Sequence, residues 1–163
     1  MSRESEVLRW LVKLLDDARS PYQIVGGLAA RAYGASRALV DIDVYVPSES
    51  LERVVESAQP HVRSGPIRHR DEHWDLTFAK LEYGGVPIEV AAADDAKLFD
   101  RRTATWVSAG VDFARGNEME VAGVRLRVMP LEQLIEYKCA LGRDVDAQDV
   151  AELQNAVGDP SDD

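Results

Sequence analysis

Apolar side chains recur along the chain with two different periods. From about Glu4 to Ala18 they are three or four residues apart, which predicts an amphipathic helix that stops before Pro21. The segments that follow are YQIVGG, LAARAYG and VDIDVYVP. They predict a short buried strand, a short alanine-rich helix closed by Gly34, and a second strand that ends at Pro47. The chain therefore begins in the order α-β-α-β.

The middle of the chain has the alternation of β-strands, after one more helix that the apolar spacing predicts over 51–58. The run WDLTFAKLEYGGVPIEVAAAD contains two apolar or alternating segments on either side of Gly84 and Gly85. A glycine pair tolerates positive φ, so it predicts a hairpin at this point. A second hairpin is predicted in MEVAGVRLRVMP, with its turn at Ala122 and Gly123.

The end of the chain is predicted to form two helices after Pro130, because apolar residues return there to helical spacing. The chain has 163 residues, 45% of them hydrophobic, which is enough to bury one core. We therefore expect a single α+β domain over 1–157, made of a core at about 1–128 and a helical tail at 130–157. The last residues, 158–163, are predicted to be an acidic, disordered end.

Composition narrows the location and the partners. The single cysteine, Cys139, excludes an intramolecular disulfide, and no apolar run reaches the roughly 18 residues of a membrane span. The start, MSRESEVLRW, lacks the apolar segment of a signal peptide. We therefore expect a cytoplasmic protein without a membrane partner. A formal charge of −10 and a pI near 4.8 disfavour tight non-specific binding to nucleic acid.

Two aspartates lie one residue apart in the second predicted strand. Side chains two positions apart point to the same face of a strand, so Asp41 and Asp43 are neighbours, while Ile42 and Val44 point into the core. Adjacent carboxylates repel each other unless a cation such as Mg²⁺ compensates their charge. The alternative is a strand with one solvated face, on which Asp-x-Asp occurs without a ligand.

A glycine pair precedes these aspartates, between the first predicted strand and the short helix. Without side chains at Gly26 and Gly27, backbone amides near the start of the helix are open to an anionic phosphate. The alternative is a tight turn or close helix packing. The combination is more specific than either part, because an apolar strand, the glycine pair, thirteen residues and then Asp-Ile-Asp follow in order.

This combination resembles the signature of the nucleotidyltransferase superfamily related to DNA polymerase β. It is similar in particular to small single-domain bacterial members, which include lincosamide and aminoglycoside nucleotidyltransferases and toxin–antitoxin-type enzymes. The resemblance implies the nucleotidyltransferase fold, with a central mixed β-sheet of α/β type flanked by helices and a C-terminal helical tail. It implies that Gly26 and Gly27 hold the triphosphate. It also implies that Asp41 and Asp43 bind two divalent metals, and that Glu89 is a third carboxylate, either a metal ligand or the base for the attacking hydroxyl.

The segment PLEQLIEYKCALGRDVDAQDVAEL resembles the helical tail of the same family. The resemblance implies nucleotide contacts from Arg37, Lys138 and Arg143. Independently of any family, Lys138 lies four residues after Leu134 and therefore on the apolar stripe of its helix, where a lysine needs an anionic partner. That partner is either a nucleotide phosphate or one of the nearby aspartates; a third interpretation is a lysine that extends along the edge of the stripe to solvent.

The segment HVRSGPIRHRDEHWD supports two further hypotheses. His69 and His73 are four residues apart, so on a helix they present two imidazoles to zinc. The favoured interpretation is a polar rim of the active site, made locally basic by Arg63, Arg68 and Arg70 and suited to an anionic acceptor.

The predicted function is metal-dependent transfer of an NMP group from an NTP such as ATP to a hydroxyl acceptor, with release of pyrophosphate. Two Mg²⁺ ions are expected at Asp41, Asp43 and Glu89. If Glu89 is only a strand residue, Asp75 becomes the candidate third carboxylate. The acceptor is a small molecule or a protein, tRNA is less favoured because of the charge, and a homodimer is compatible with the size. The alternative function is an inactive nucleotide- or partner-binding module, such as a toxin–antitoxin component.

Overall fold

The computed structural model describes residues 1–157. It contains five α-helices: α1 (Arg3–Asp17), α2 (Gly26–Ala32), α3 (Leu51–Ser57), α4 (Leu131–Leu141) and α5 (Asp144–Val157). The strands are β1 (Gln23–Val25), β2 (Ile42–Val46), β3 (Val62–Arg70), β4 (Trp74–Tyr83), β5 (Val86–Ala92), β6 (Lys97–Asp100), β7 (Thr105–Ser108), β8 (Asn117–Val121) and β9 (Val124–Val128). Short 3-10 turns lie at Ser48–Ser50 and Phe113–Arg115.

The nine strands form one mixed sheet. Its order is β7-β6-β4-β5-β2-β1-β9-β8, and β3 pairs with β4 outside this path. The β2–β5 and β1–β9 pairs are parallel, whereas the other pairs are antiparallel. The predicted α+β fold with a mixed sheet is therefore confirmed. β2 and β5 lie in the middle of the sheet. Alternate residues of these two strands, such as Asp43 and Glu89, line the cavity described below.

The core forms as the apolar spacing predicts. α1 buries the stripe Val7, Leu8, Leu11, Leu14 and Leu15, and it packs against α3 and β9. β2 and β5 bury Ile42, Val44, Ile88 and Val90. At the other end of the chain, α4 packs against α5, α2 and β6. Within the described part of the chain, no helix is both long and apolar enough to span a membrane.

Two regions differ from the sequence-based expectations. The segment considered as a helix with two zinc-binding histidines is not helical: His69 lies in strand β3 and His73 in the turn before β4, so the zinc hypothesis is wrong in its geometry. The stretch 97–117, for which the pattern predicts no element, contains β6, β7 and a 3-10 turn. Both β3 and β7 lie at the margin of the sheet, where one side is open to solvent and the apolar alternation is weak. The acidic end predicted at 158–163 lies outside the described residues.

Candidate active site

Three carboxylates meet where β2 and β5 run side by side. Asp43 and Glu89 are register partners in this parallel pair, and Asp41 directly precedes the first residue of β2. All three side chains line one cavity of about 290 Å³. The sequence placed Asp41 and Asp43 on the same face, and the register now brings Glu89 to them from a segment 46 positions further along the chain. We call Asp41, Asp43 and Glu89 the carboxylate cluster.

The carboxylate cluster is not paired with a cation among the described residues. Within residues 1–157, none of its members forms a salt bridge. Burial, the charges of Asp41 and Glu89, and a hydrogen bond with Glu89 together raise the pKa of Asp43 to about 8, while the charge of Arg143 opposes the shift. A carboxyl group with such a pKa is held in its neutral form because the protein offers too little positive charge to ionise it.

The glycine pair lies against the carboxylate cluster. Gly26 has a φ of +69°, and a Cβ at this position would be 2.6 Å from Oδ2 of Asp43. A Cβ on Gly27 would be 3.0 Å from the guanidinium of Arg37. Only glycine therefore lets the turn from β1 into α2 approach Asp43 so closely. The geometry is compatible both with the packing interpretation and with the expected triphosphate contact.

The donor chemistry of the carboxylate cluster fits Mg²⁺. The ion prefers oxygen ligands, and its charge would compensate carboxylates that the protein leaves unpaired. In the part of the chain that the structure describes, however, no group of three or more His, Cys, Asp and Glu side chains is already arranged as a metal site. Asp41, Asp43 and Glu89 are the residues that would hold such an ion, with water or phosphate oxygens as its other ligands.

A second group of charged side chains is paired internally, and three of its members, Lys138, Arg143 and Asp146, line the same cavity. Lys138 is 2% exposed; its Nζ donates to Oδ2 of Asp149 at 2.9 Å and lies 3.7 Å from Oδ1 of Asp146. Arg37 donates to the same Oδ2 of Asp149 at 2.8 Å. The guanidinium of Arg143 makes two hydrogen bonds to Asp146, of 2.6 and 3.1 Å. We call these five residues the ion-pair network.

The ion-pair network connects α4 and α5 to each other and to the segment before β2, where Arg37 lies. Gly142 ends α4 in the left-handed conformation (φ +61°), and Arg143 and Asp146, which follow it, both line the cavity. Lys138 therefore has the aspartate partner that one interpretation of the sequence required. A nucleotide contact by Lys138 or Arg143, which also line the cavity, stays a prediction, as does one by Arg37, which is not among the described lining residues.

Side chains of β4 line the same cavity as the carboxylate cluster, and the sequence interpretation missed them. Every second residue of β4 points into the cavity: Trp74, Leu76, Phe78 and Lys80. Tyr45 and Tyr137 add a buried pair of hydroxyl groups 2.8 Å apart, and burial raises the pKa of both phenols. The alternation in WDLTFAK was the available signal, because it puts the large apolar residues and the lysine on one face.

The basic rim proposed from the sequence is mostly turned away from the cavity. Arg63, Arg68 and Arg70 are not among the described lining residues. Each has a partner instead: Arg63 pairs with Glu82, Arg68 with Asp75 and Asp95, and Arg70 lies over the ring of Trp106 at 5.1 Å. Asp75 is therefore engaged outside the cavity and does not replace Glu89.

The two histidines are also separated by the fold. His69 of β3 lines the cavity, with its Nε2 2.8 Å from Oδ2 of Asp71. His73 lies in the β3–β4 turn, and its Nε2 lies 3.4 Å from Oε1 of Glu72. They do not present two imidazoles on one helical face.

Known structures share this architecture. A candidate nucleotidyltransferase from Thermotoga maritima superposes with a TM-score of 0.72 at 21% identity, over 93% of this chain and 92% of that one. The antibiotic-resistance factor ANT(2″)-Ia in complex with adenylyl-2″-tobramycin superposes with a TM-score of 0.63 at 16% identity, over 96% of this chain and 91% of that one. The lincosamide antibiotic adenylyltransferase LnuA with bound lincomycin superposes with a TM-score of 0.60 at 13% identity, over 91% of this chain and 95% of that one.

The sequence alone gives no comparable match. No family model matches the chain, and no curated protein matches it. The likeness at these low identities is therefore one of fold: the chain has the nucleotidyltransferase fold, as its glycine pair and Asp-Ile-Asp predict.

Proposed function

We propose that this protein is a metal-dependent nucleotidyltransferase. It would transfer the NMP group of an NTP to the hydroxyl of a small-molecule or protein acceptor and release pyrophosphate. The carboxylate cluster carries this proposal: Asp41, Asp43 and Glu89 share a cavity without a salt bridge to any described residue. Crowded carboxylates destabilise a fold unless a cationic ligand compensates them. The fold neighbours described as adenylyltransferases support the class of reaction.

The carboxylate cluster would hold two Mg²⁺ ions. When bound, they would compensate the triphosphate charge and lower the pKa of the acceptor hydroxyl. Gly26 leaves space beside Asp43, where a side chain would collide with the carboxylate. The triphosphate is therefore expected at this end of the cavity.

The transfer step needs a base beside the acceptor, and Glu89 is the candidate. The acceptor oxygen attacks the α-phosphorus, the bond from that phosphorus to the bridging oxygen breaks, and pyrophosphate leaves. Glu89 takes the hydroxyl proton, which balances the step. Its position across the β2–β5 pair from Asp43 suits this role, because base and nucleotide site are then on neighbouring strands.

The test begins with binding. ATP, GTP, CTP and UTP are titrated with and without Mg²⁺, and binding is followed by calorimetry or thermal shift. We expect at least one NTP to bind in a Mg²⁺-dependent way, and pyrophosphate release when a panel of hydroxyl acceptors is supplied. Asp43→Asn is expected to remove both signals, whereas Asp94→Asn, the same change at an exposed turn outside the cavity, is expected to keep them.

The outcomes separate the proposal from its rival. If no NTP binds to the wild type, the nucleotidyltransferase function is contradicted. If an NTP binds with Mg²⁺ and no acceptor leads to pyrophosphate release, the result supports a nucleotide-binding module that has kept the fold without turnover. Release that persists in Asp43→Asn contradicts the assignment of the carboxylate cluster as the metal site.

A further inference from the structure

Lys80 lines the cavity directly next to the carboxylate cluster in the sheet. It is a register partner of Glu89 across the β4–β5 pair, and Glu89 is in turn the partner of Asp43. The side chain of Lys80 is exposed and lines the cavity, and its Nζ lies 5.8 Å from the centroid of the Phe78 ring. One row across four neighbouring strands therefore contains Val25, Asp43, Glu89 and Lys80, in that order.

The other cationic groups of the cavity are already engaged. Apart from the carboxylate cluster and Lys80, the charged or titratable lining side chains are hydrogen-bonded within the protein: His69 with Asp71, Lys138 with Asp149, and Arg143 with Asp146. Lys80 forms no ion pair with any residue of the described range 1–157. Among the described residues, it is therefore the cavity-lining ammonium that can bind an anionic ligand without breaking an internal ion pair.

The position of Lys80 in the row indicates which substrate it meets. Gly26 directly follows Val25, so the expected triphosphate site is at one end of the row and Lys80 is at the other. Glu89, the candidate base for the acceptor hydroxyl, lies between Asp43 and Lys80. Resting on the proposed function, we infer that Lys80 binds a phosphate or carboxylate group of the acceptor, which is a small hydroxyl compound with negative charge.

The other cavity-lining side chains of β4 fit an organic acceptor. Trp74, Leu76 and Phe78 continue along β4 from Lys80 and line the cavity beside it. An apolar surface with one cation at its end binds the body of a small molecule by contact and fixes its orientation by charge. The anionic group at Lys80 would then place a nearby hydroxyl beside Glu89.

The test uses a matched pair of probes, glycerol 1-phosphate and glycerol, titrated by NMR in Mg²⁺ and a non-hydrolysable ATP analogue. The analogue occupies the nucleotide site, so the phosphate probe reports on the remaining space. We expect glycerol 1-phosphate, and not glycerol, to shift the resonances of β4 and β5. Lys80→Gln should weaken this binding roughly tenfold, as loss of a charge-assisted contact does.

The control is Lys97→Gln. Lys97 is also an exposed lysine of the sheet, but it pairs in register with Asp75, on the face opposite the cavity-lining Trp74. It should bind the probe like the wild type, and thermal unfolding should show both variants folded. Equal binding of glycerol 1-phosphate by Lys80→Gln and wild type overturns the inference, and so does absence of binding to the wild type.

Two further outcomes are decisive. If Lys80→Gln weakens the ATP analogue and not glycerol 1-phosphate, Lys80 is a nucleotide ligand and the acceptor assignment is overturned. If no NTP binds to the wild type while glycerol 1-phosphate binding still depends on Lys80, the proposed function fails and the anionic-ligand assignment of Lys80 is supported.

Discussion

Two groups of carboxylates lie at or next to one cavity, and among the described residues only one group is paired with cations. In the ion-pair network, Asp149 receives hydrogen bonds from Lys138 and Arg37, and Asp146 receives two from the guanidinium and one from the backbone N–H of Arg143. The carboxylate cluster has no salt bridge within the described residues, and the pKa of Asp43 is raised to about 8. The same functional group is therefore paired with cations in one place and has no ion pair among the described residues in the other.

The difference predicts opposite signs for the same substitution. Removing a carboxylate from the ion-pair network leaves buried cations without a partner, which lowers the free energy of unfolding. Removing one from the carboxylate cluster relieves repulsion and desolvation, which raises it. An effect on activity without loss of stability is thus the mark of a site residue, and loss of stability is the mark of a structural one.

Asp43→Asn should have the largest effect on activity. Without this charge the metal site is incomplete, and loss of several kcal/mol of transition-state stabilisation corresponds to a decrease of about 1,000-fold or more in transfer. The unfolding free energy should rise by about 1 to 3 kcal/mol, because the substitution replaces a buried carboxyl beside two others. Urea unfolding and pyrophosphate release measure the two effects. A variant that is both active and less stable would contradict the comparison.

Glu89→Gln should separate binding from chemistry. The amide keeps the shape of the side chain and removes its basicity, so single-turnover transfer should fall about 100- to 10,000-fold, while NTP affinity changes by less than about tenfold. Transfer from a labelled nucleotide, measured beside nucleotide titration in Mg²⁺, gives both numbers. Transfer at the wild-type rate would leave Glu89 as an ordinary strand residue.

Part of this comparison could be read from the sequence. The Asp-Ile-Asp alternation puts Asp41 and Asp43 on one face. The spacing of apolar residues predicts helix α1 and strand β2 themselves. Glu89 was assigned only through the family resemblance, since its place beside Asp43 depends on the register of β2 and β5. Local periodicity does not encode the pairing of strands that are distant in sequence.

The missed elements have a common physical reason. β3 contains Gly65 and Pro66 and is largely exposed, so it carries neither alternation nor strand propensity. β6 and β7 are four residues each and form by pairing with their neighbours. The position of Lys138 on an apolar stripe predicted an anionic partner, but the choice of Asp149 is set by how α5 packs on α4.

Asp149→Asn should lower stability more than any substitution in the carboxylate cluster raises it. Asp149 is fully buried and serves two cations, so breaking the contacts is expected to cost about 3 to 5 kcal/mol of unfolding free energy. The control is Asp17→Asn, the same change in the exposed pair with Lys13, which should leave the urea midpoint unchanged. Equal midpoints for Asp149→Asn and wild type would remove the distinction between the two groups.

Lys138→Met should have the smallest effect on nucleotide binding. The side chain of Lys138 is 2% exposed and its Nζ donates to Asp149 at 2.9 Å, so its charge is already used within the ion-pair network. Methionine fills a similar volume, and Asp149 keeps Arg37, so we expect a loss of about 1 to 3 kcal/mol in unfolding free energy. Affinity for Mg²⁺-NTP, measured by calorimetry below the unfolding transition, should change less than about threefold. A direct phosphate contact would instead cost roughly 5- to 150-fold in affinity, and that result would move Lys138 from the structural group to the nucleotide site.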